Sequence, residues 1–308
     1  MKREVLWAIA ALTLATSSAQ AEDASCKKVR FADVGWTDIQ VTTGVATVLL
    51  EALGYTPEVT TLTVPVTYSS LKSKDIDVFL GNWMPSMTAD IKAYTEDKSV
   101  ETISTNLENA GYGLVVPQYV ADAGVKSLAD LGKHKEKFSA KIYGIEAGND
   151  GNRIISEMIA KTENNLAGFE LVESSEAGML TQAEKAMKKK EWIIFLGWTP
   201  HPIMGEMKIH YLDGMGDSGF GAATVHTNVR AGYLKDCPNA GKLIKNLKFN
   251  LAMEGAMMDP VLKSGADPKA TARDWLKANQ GAIGPWIEGV TTADGKDAAG
   301  AVKAALAK

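Results

Sequence analysis

Basic tracts, histidine motifs, cysteine pairs and long apolar runs are what this sequence of 308 residues has least of. Its formal net charge is −4, and its one basic tract is Lys188 to Lys190. Nucleic-acid binding needs a concentrated positive surface, so that class is disfavoured and the lysine triplet reads as the end of a solvated helix. The four histidines, His134, His201, His210 and His226, form no H-E-x-x-H pair, and no G-x-S-x-G elbow occurs. His201 and His226 therefore read as satisfied structural histidines, and an exported enzyme becomes the weaker functional class. No motif calls for a cofactor or a metal ion. Beyond the first residues no stretch is apolar enough to span a bilayer, so the chain is not expected to be membrane-embedded.

What is present begins at the amino terminus. Lys2 and Arg3 precede an apolar run from Val5 to Ala15, and Ala19-Gln20-Ala21 follows as an A-x-A pattern. This reads as an export leader over residues 1–21, cleaved after Ala21, which places the mature chain in the periplasm. A membrane anchor is the alternative, but the run is well short of the roughly 20 residues a span needs. Lipid attachment at Cys26 is disfavoured by Asp23-Ala24-Ser25 before it, which is not a small apolar approach.

About 287 residues remain, enough for a large core and for two lobes. They hold two cysteines, Cys26 and Cys237, in an oxidising compartment. A disulfide is the simple reading, with two free thiols as the alternative. The bridge would close a loop of about 210 residues, for which chain entropy gives an upper figure of roughly 5 kcal/mol. It would also put the start of the chain and the region near residue 237 in one lobe.

Short apolar runs alternate with amphipathic ones, the α/β pattern. Lys28 to Val34, Val59 to Thr63 and Ile76 to Leu80 read as strands, with helices over Ile39 to Leu53, near Tyr68 to Ser73, and from about Ser86 to Tyr94, where Pro85 stands at the start. A second series follows: strands at Gly113 to Val116, Lys141 to Ile145, Phe169 to Val172, Trp192 to Leu196 and Ala223 to Tyr233, with helices at Gly151 to Lys161 and Glu176 to Lys190. Three or four helices close the chain after Cys237. With the cysteines joined, the chain leaves one lobe, builds the other and returns. The expected fold is thus α/β and two-lobed, with two crossings and a cleft. Residues 22–110 and 227–308 form the first lobe and 111–226 the second. By analogy of design, such an exported protein binds a solute.

Three tryptophans share a placement. Trp36 in FADVGWTDI, Trp83 in VFLGNWMP and Trp198 in IIFLGWTPH each follow a strand-like run and a glycine. Ligands of open α/β sheets sit outside the carboxyl ends of strands, so the three are expected to face one cleft. Trp192, Trp275 and Trp286 lack the placement and read as packing residues. Several inward aromatic faces suit a bulky, poorly hydrated cation such as a quaternary ammonium group. Asp38 could supply the opposite charge, while Thr37 or Asp38 could also cap the following helix. The loop GIEAGNDGN, Gly144 to Asn152, either holds an anion at a helix start or directs Asn149 into the cleft. Its glycine spacing is not that of a dinucleotide site.

The segments FADVGWTDI, VPVTYSSLKSKDIDVFLGNWMP, KIYGIEAGNDGNR, ESSEAGML, FLGWTPHP and ATVHTNVRAGY together resemble the choline-binding proteins of bacterial ABC importers, within the glycine betaine/proline-binding family. The resemblance runs in order over essentially the whole mature chain. It implies a two-lobed type II solute-binding fold, monomeric, closing over choline and passing it to a permease, with acetylcholine or betaine as weaker ligands. It places an aromatic box on Trp36, Trp83, Tyr112 and Trp198, and polar contacts on Asp38 and Asn149. Tyr112 rests on the resemblance alone. The paired cysteines match as well. PHPIMGEMK and the loop from Asp213 to Gly219 depart from the family pattern. A glycine betaine or carnitine binder is the rival within the same class, and a sensor presenting ligand to a membrane receptor is a further alternative.

Overall fold

A computed structural model of the chain describes residues 22–161 and 166–308; the expected leader and its cleavage point lie outside the described residues. The strands are Lys28–Asp33 (β1), Thr56–Thr61 (β2), Val78–Met84 (β3), Val100–Pro117 (β4), Lys141–Tyr143 (β5), Glu170–Val172 (β6), Phe195–Thr199 (β7), Ile209–Tyr211 (β8) and Gly221–Arg230 (β9). They form one nine-stranded sheet in the order β2-β1-β3-β9-β4-β7-β5-β6, with β8 beside β4. β1, β2 and β3 pair parallel at one end, and β5, β6 and β7 pair parallel at the other. Between these halves lie β9 and β4, antiparallel to each other and to their outer neighbours.

β4 is longer than the sequence reading, which began it at Gly113. It runs from Val100, and its pairing with β9 shifts register three times, between Thr102 and Ser104, Thr105 and Leu107, and Leu107 and Ala110. Such irregularities bend a strand and increase its twist. The alternation of apolar residues is lost across them, which is why the first half of β4 did not read as a strand. Positions 110 and 227, where the lobe boundaries were expected, fall within β4 and β9.

The helices are Thr37–Ala52 (α1), Val64–Ser73 (α2), Thr88–Glu96 (α3), Gln118–Asp122 (α4), Leu128–Leu131 (α5), Asp150–Ala160 (α6), Glu176–Lys188 (α7) and Pro202–Glu206 (α8). After β9 come Tyr233–Asp236 (α9), Pro238–Asn246 (α10), Leu251–Ser264 (α11), Pro268–Ala278 (α12), Ile283–Trp286 (α13) and Ala298–Leu306 (α14). α3 starts three residues after Pro85, not at it. α1 was expected to bury one face, yet it is buried almost all round, because α11, α12 and α14 pack over its outer side. Gly44 makes this approach possible: a Cβ there would lie 3.0 Å from Ala272 Cβ. Trp275 and Trp286 pack together among these last helices, and Trp192 packs on Phe138. Lys188 to Lys190 are exposed at the end of α7, as expected. Among the described residues no helix is long and apolar enough to cross a membrane.

Cys26 and Cys237 form the expected disulfide, with Cα atoms 5.4 Å apart and 211 residues between them in sequence. It ties the chain entering β1 to the turn between α9 and α10. Replacing both cysteines with alanine should lower the unfolding free energy by about 2–4 kcal/mol, seen as a lower urea midpoint with an unchanged circular dichroism spectrum. An unchanged midpoint would show that the bridge does not constrain the unfolded chain.

Candidate functional site

The turn after β1 sets the first wall of the site. The Gly35 amide donates to Asp33 Oδ1 at 3.1 Å, and Gly35 takes φ +81°, a left-handed value that a Cβ resists. Trp36 then stands at the N-cap of α1, and Asp38 falls in the helix's first turn. No side-chain capping bond forms at this end, so neither Thr37 nor Asp38 is the cap. The first turn is satisfied from elsewhere: the Thr37 amide donates to Glu176 Oε2 at 2.9 Å.

Trp83 and Trp198 were expected just past strand ends, but they lie within β3 and β7. Their glycines serve packing and not a turn. A Cβ at Gly81 would lie 2.8 Å from the Phe79 ring, and one at Gly197 would lie 2.7 Å from Val115. The strands therefore continue to Met84 and Thr199 and carry the indoles at their carboxyl ends. The sheet register explains Tyr112 as well: it sits directly opposite Trp198 in the β4–β7 ladder. Its ring lies 5.8 Å from that of Trp83 at 50° and 5.2 Å from Phe220, edge to face.

Trp36, Trp83, Tyr112, Trp198 and Asp38 line one small cavity, closed further by Ile145 and Asp150. All four aromatic side chains are nearly inaccessible to solvent. Space of this size is below the range for drug-sized ligands and suits a molecule of a few heavy atoms. Asn149 is not among the lining residues. It caps α6, accepting from the Asn152 amide at 2.7 Å and donating to the Glu146 carbonyl at 2.8 Å. The next residue, Asp150, reaches the cavity in its place. Gly151 leaves room beside it, since a Cβ there would fall 2.0 Å from the Tyr112 hydroxyl.

The polar atoms of this cavity are not satisfied by the protein. Asp38 Oδ2 accepts from Trp83 Nε1 at 3.2 Å, but Oδ1 has no partner. Neither oxygen of Asp150 accepts a regular hydrogen bond, and Trp198 Nε1 has no acceptor. Buried polar groups are rarely left without a protein partner, which sets this cavity apart from the packed core around it. Burial raises Asp38 to about 7, with the Glu176 charge adding to it. Burial likewise raises Asp150 to about 6, against the pull of the Ser86 hydroxyl. Glu254 on α11, fully enclosed near Asp38, is pushed well above the carboxylate range by the same desolvation.

Contacts between the two halves hold the cavity shut. Trp36 Nε1 donates to Glu146 Oε1 at 2.8 Å. Glu176, which takes the Thr37 amide, also meets His201 Nε2 at 3.1 Å. His201 Nδ1 accepts from the Met204 amide, so its proton is on Nε2 and points to Glu176. Its ring stands edge-on against Trp198, with centroids 4.8 Å apart. Arg153 of α6 donates to the Ser86 carbonyl and to Asp90 of α3, each at 2.8 Å. Glu146, Asp150 and Glu176 were not singled out in sequence. Their positions at helix starts, in EAGND and ESSEAG, were the available signal.

The model of a family described as the substrate binding domain of ABC-type glycine betaine transport systems matches residues 27–278. The chain belongs to that family. A solved ABC-transporter choline binding protein in complex with choline is 56% identical, covers 92% of this chain and 100% of its own, and superposes with a TM-score of 0.90. A choline binding protein in an unliganded semi-closed conformation gives 0.84 at 55% identity over 92% of this chain and 100% of its own. The glycine betaine/carnitine transport binding protein GbuC of Listeria monocytogenes is 31% identical over 54% of this chain and 55% of its own length. The architecture is therefore the two-lobed type II solute-binding fold, and β4 and β9 are its two connections.

A carboxyl group held at a higher pKa in the folded state binds more protons folded than unfolded. Its contribution to stability is thus largest at low pH and falls as pH rises from the unfolded value of 3.8 towards about 7. In the ligand-free protein, Asp38→Asn should gain in thermal midpoint over the parent as pH rises through that window, then level off. Differential scanning calorimetry across the range reads this directly; a difference independent of pH would contradict the burial of an ionisable Asp38.

Proposed function

We propose that this chain captures choline in the periplasm and delivers it to the permease of an ABC importer. The observation that carries the reading is the pairing of four aromatic walls, Trp36, Trp83, Tyr112 and Trp198, with buried carboxylates that the protein leaves unpartnered. A trimethylammonium group offers methyls to the rings and a diffuse charge to their faces, and it has no N–H that must find an acceptor. Each ring contributes roughly 0.5–2 kcal/mol when desolvated. Choline has about seven heavy atoms, so the best attainable binding is near −10 kcal/mol, while micromolar affinity needs about −8. Little can be lost to reorganisation, which is why the walls are fixed by strand register and by a bonded turn.

Choline's hydroxyl is directed to Asp38 and the turn built by Asn149, whose amide keeps one hydrogen uncommitted. The lobes are residues 22–110 with 227–308, and 111–226, hinged on β4 and β9. The higher likeness to the choline complex than to the unliganded form supports a closed arrangement here. An export leader at residues 1–21 fits a protein that works outside the cytoplasmic membrane. Nothing in the cavity supplies a nucleophile beside a base, so the role is capture and release of unaltered ligand. The relationship to GbuC keeps glycine betaine and carnitine as the alternative ligands. Their carboxylate would enter a cavity that already holds two acidic side chains and, among its lining residues, no cationic one.

Calorimetric titration with choline tests the reading. Trp198→Ala and Trp83→Ala should each weaken choline binding by about 10- to 30-fold, while circular dichroism stays unchanged. Parent-like affinity in either variant would remove the aromatic box. Asp38→Asn should weaken choline more than glycine betaine, and equal losses would deny Asp38 its charge role.

A further inference from the structure

Asp150 is fully buried, yet neither carboxylate oxygen has a regular hydrogen-bond partner, and the side chain lines the cavity from the half of the sheet opposite to Asp38. It is also the first residue of α6, an eleven-residue helix. The free amides and dipole of a helix start favour an anion at that point. In a cavity that received a ligand carboxylate, this is where that carboxylate would sit. Here the chain fills the place with a carboxylate of its own.

We propose that Asp150 is a specificity-determining residue of this site, a second buried counter-charge that admits ligands of net positive charge and turns away zwitterions carrying the same trimethylammonium head. The inference rests on the reading of the cavity as a choline site and deepens it. Asp150 shares the cavity lining with Asp38 of α1, and it interacts with Ser86, Asp90 of α3, Glu146 in the turn before α6, Arg153 one turn along α6, Tyr112 of β4 and Tyr68 of α2. Arg153 is the one cation of this set; its terminal nitrogens are committed to Asp90, Glu157 and the Ser86 carbonyl, and its charge offsets only part of what burial does to Asp150. Closing the cleft without a ligand therefore buries both carboxyl groups, and desolvation, with smaller contributions from Glu176 on Asp38 and Asp90 on Asp150, raises them. A quaternary ammonium relieves this from between the two carboxylates. A betaine brings one more negative charge to the helix start that Asp150 occupies.

The test is calorimetric titration of the mature protein and of Asp150→Asn with choline and with glycine betaine, near pH 8, where both cavity carboxyls are ionised. The variant should bind choline at least ~10-fold more weakly, and its choline-to-betaine affinity ratio should fall by at least ~10-fold, because the helix start becomes free for the betaine carboxylate. A ratio within ~2-fold of the parent overturns the role of Asp150 while leaving the choline reading intact. Failure of the parent itself to bind choline overturns both. Should Asp150→Asn not fold, carbon-detected NMR of the Asp150 carboxyl in the parent decides: saturation with choline should lower its midpoint by at least about one pH unit, and an unmoved midpoint overturns the proposal.

Discussion

A buried carboxylate with unbonded oxygens is among the most unfavourable things a fold can contain, and this protein holds two such groups in one small cavity. Asp38 has an unbonded oxygen, and Asp150 has two. The other lining residues are aromatic rings and one isoleucine, and none of the lining residues is basic, so the surroundings compensate the two carboxyl groups only weakly. On the proposed reading, a ligand that brings positive charge and asks for no hydrogen-bond acceptor completes the closed arrangement. Much else in the site follows from that requirement. The rings must be near enough to contact methyl groups, and the halves of the sheet must be able to separate to admit the ligand.

The sheet meets both demands. β4 and β9 run as a joined pair through its centre, so each half is a rigid parallel unit and the connection between them is a two-stranded ribbon with shifted register. One wall, Trp36, stands on a turn of the first half, Trp83 ends a strand of that half, and Trp198 and Tyr112 face each other in a ladder of the second. Glu146 and Glu176 reach from the second half to the indole and the amide at the start of α1. These two contacts couple closure to the position of Trp36 and, through His201, to that of Trp198. Closing the cleft and shaping the box are thus one event.

The alternation of strands and helices, the disulfide and three of the aromatic residues that line the cavity were legible in the residues themselves. Trp36, Trp83 and Trp198 announced themselves by following glycines after apolar runs, although the glycines do not all play one part. Gly81 and Gly197 yield to neighbouring side chains, and only Gly35 turns the chain. Tyr112 came from family resemblance, because its placement depends on register with a strand more than 80 residues later, which local pattern does not carry. Asp150 was passed over for Asn149, since a helix cap and a cavity-facing residue one position apart look alike in sequence. The first half of β4 was missed for a similar reason: bulges erase the alternation by which a strand is recognised.

The central claim is that positive charge, and not shape or apolar surface alone, closes this cleft. It is tested most directly by labelling one residue in each half and measuring their separation by double electron–electron resonance. The ligands compared are choline and its uncharged carbon isostere, in which a tert-butyl group replaces the trimethylammonium. The account predicts that choline shortens the distance to that of the closed form, while the isostere, at the same concentration and well above, leaves the open distribution unchanged. Closure by the isostere to the same extent would contradict it, and would make the site an apolar pocket whose carboxylates are incidental.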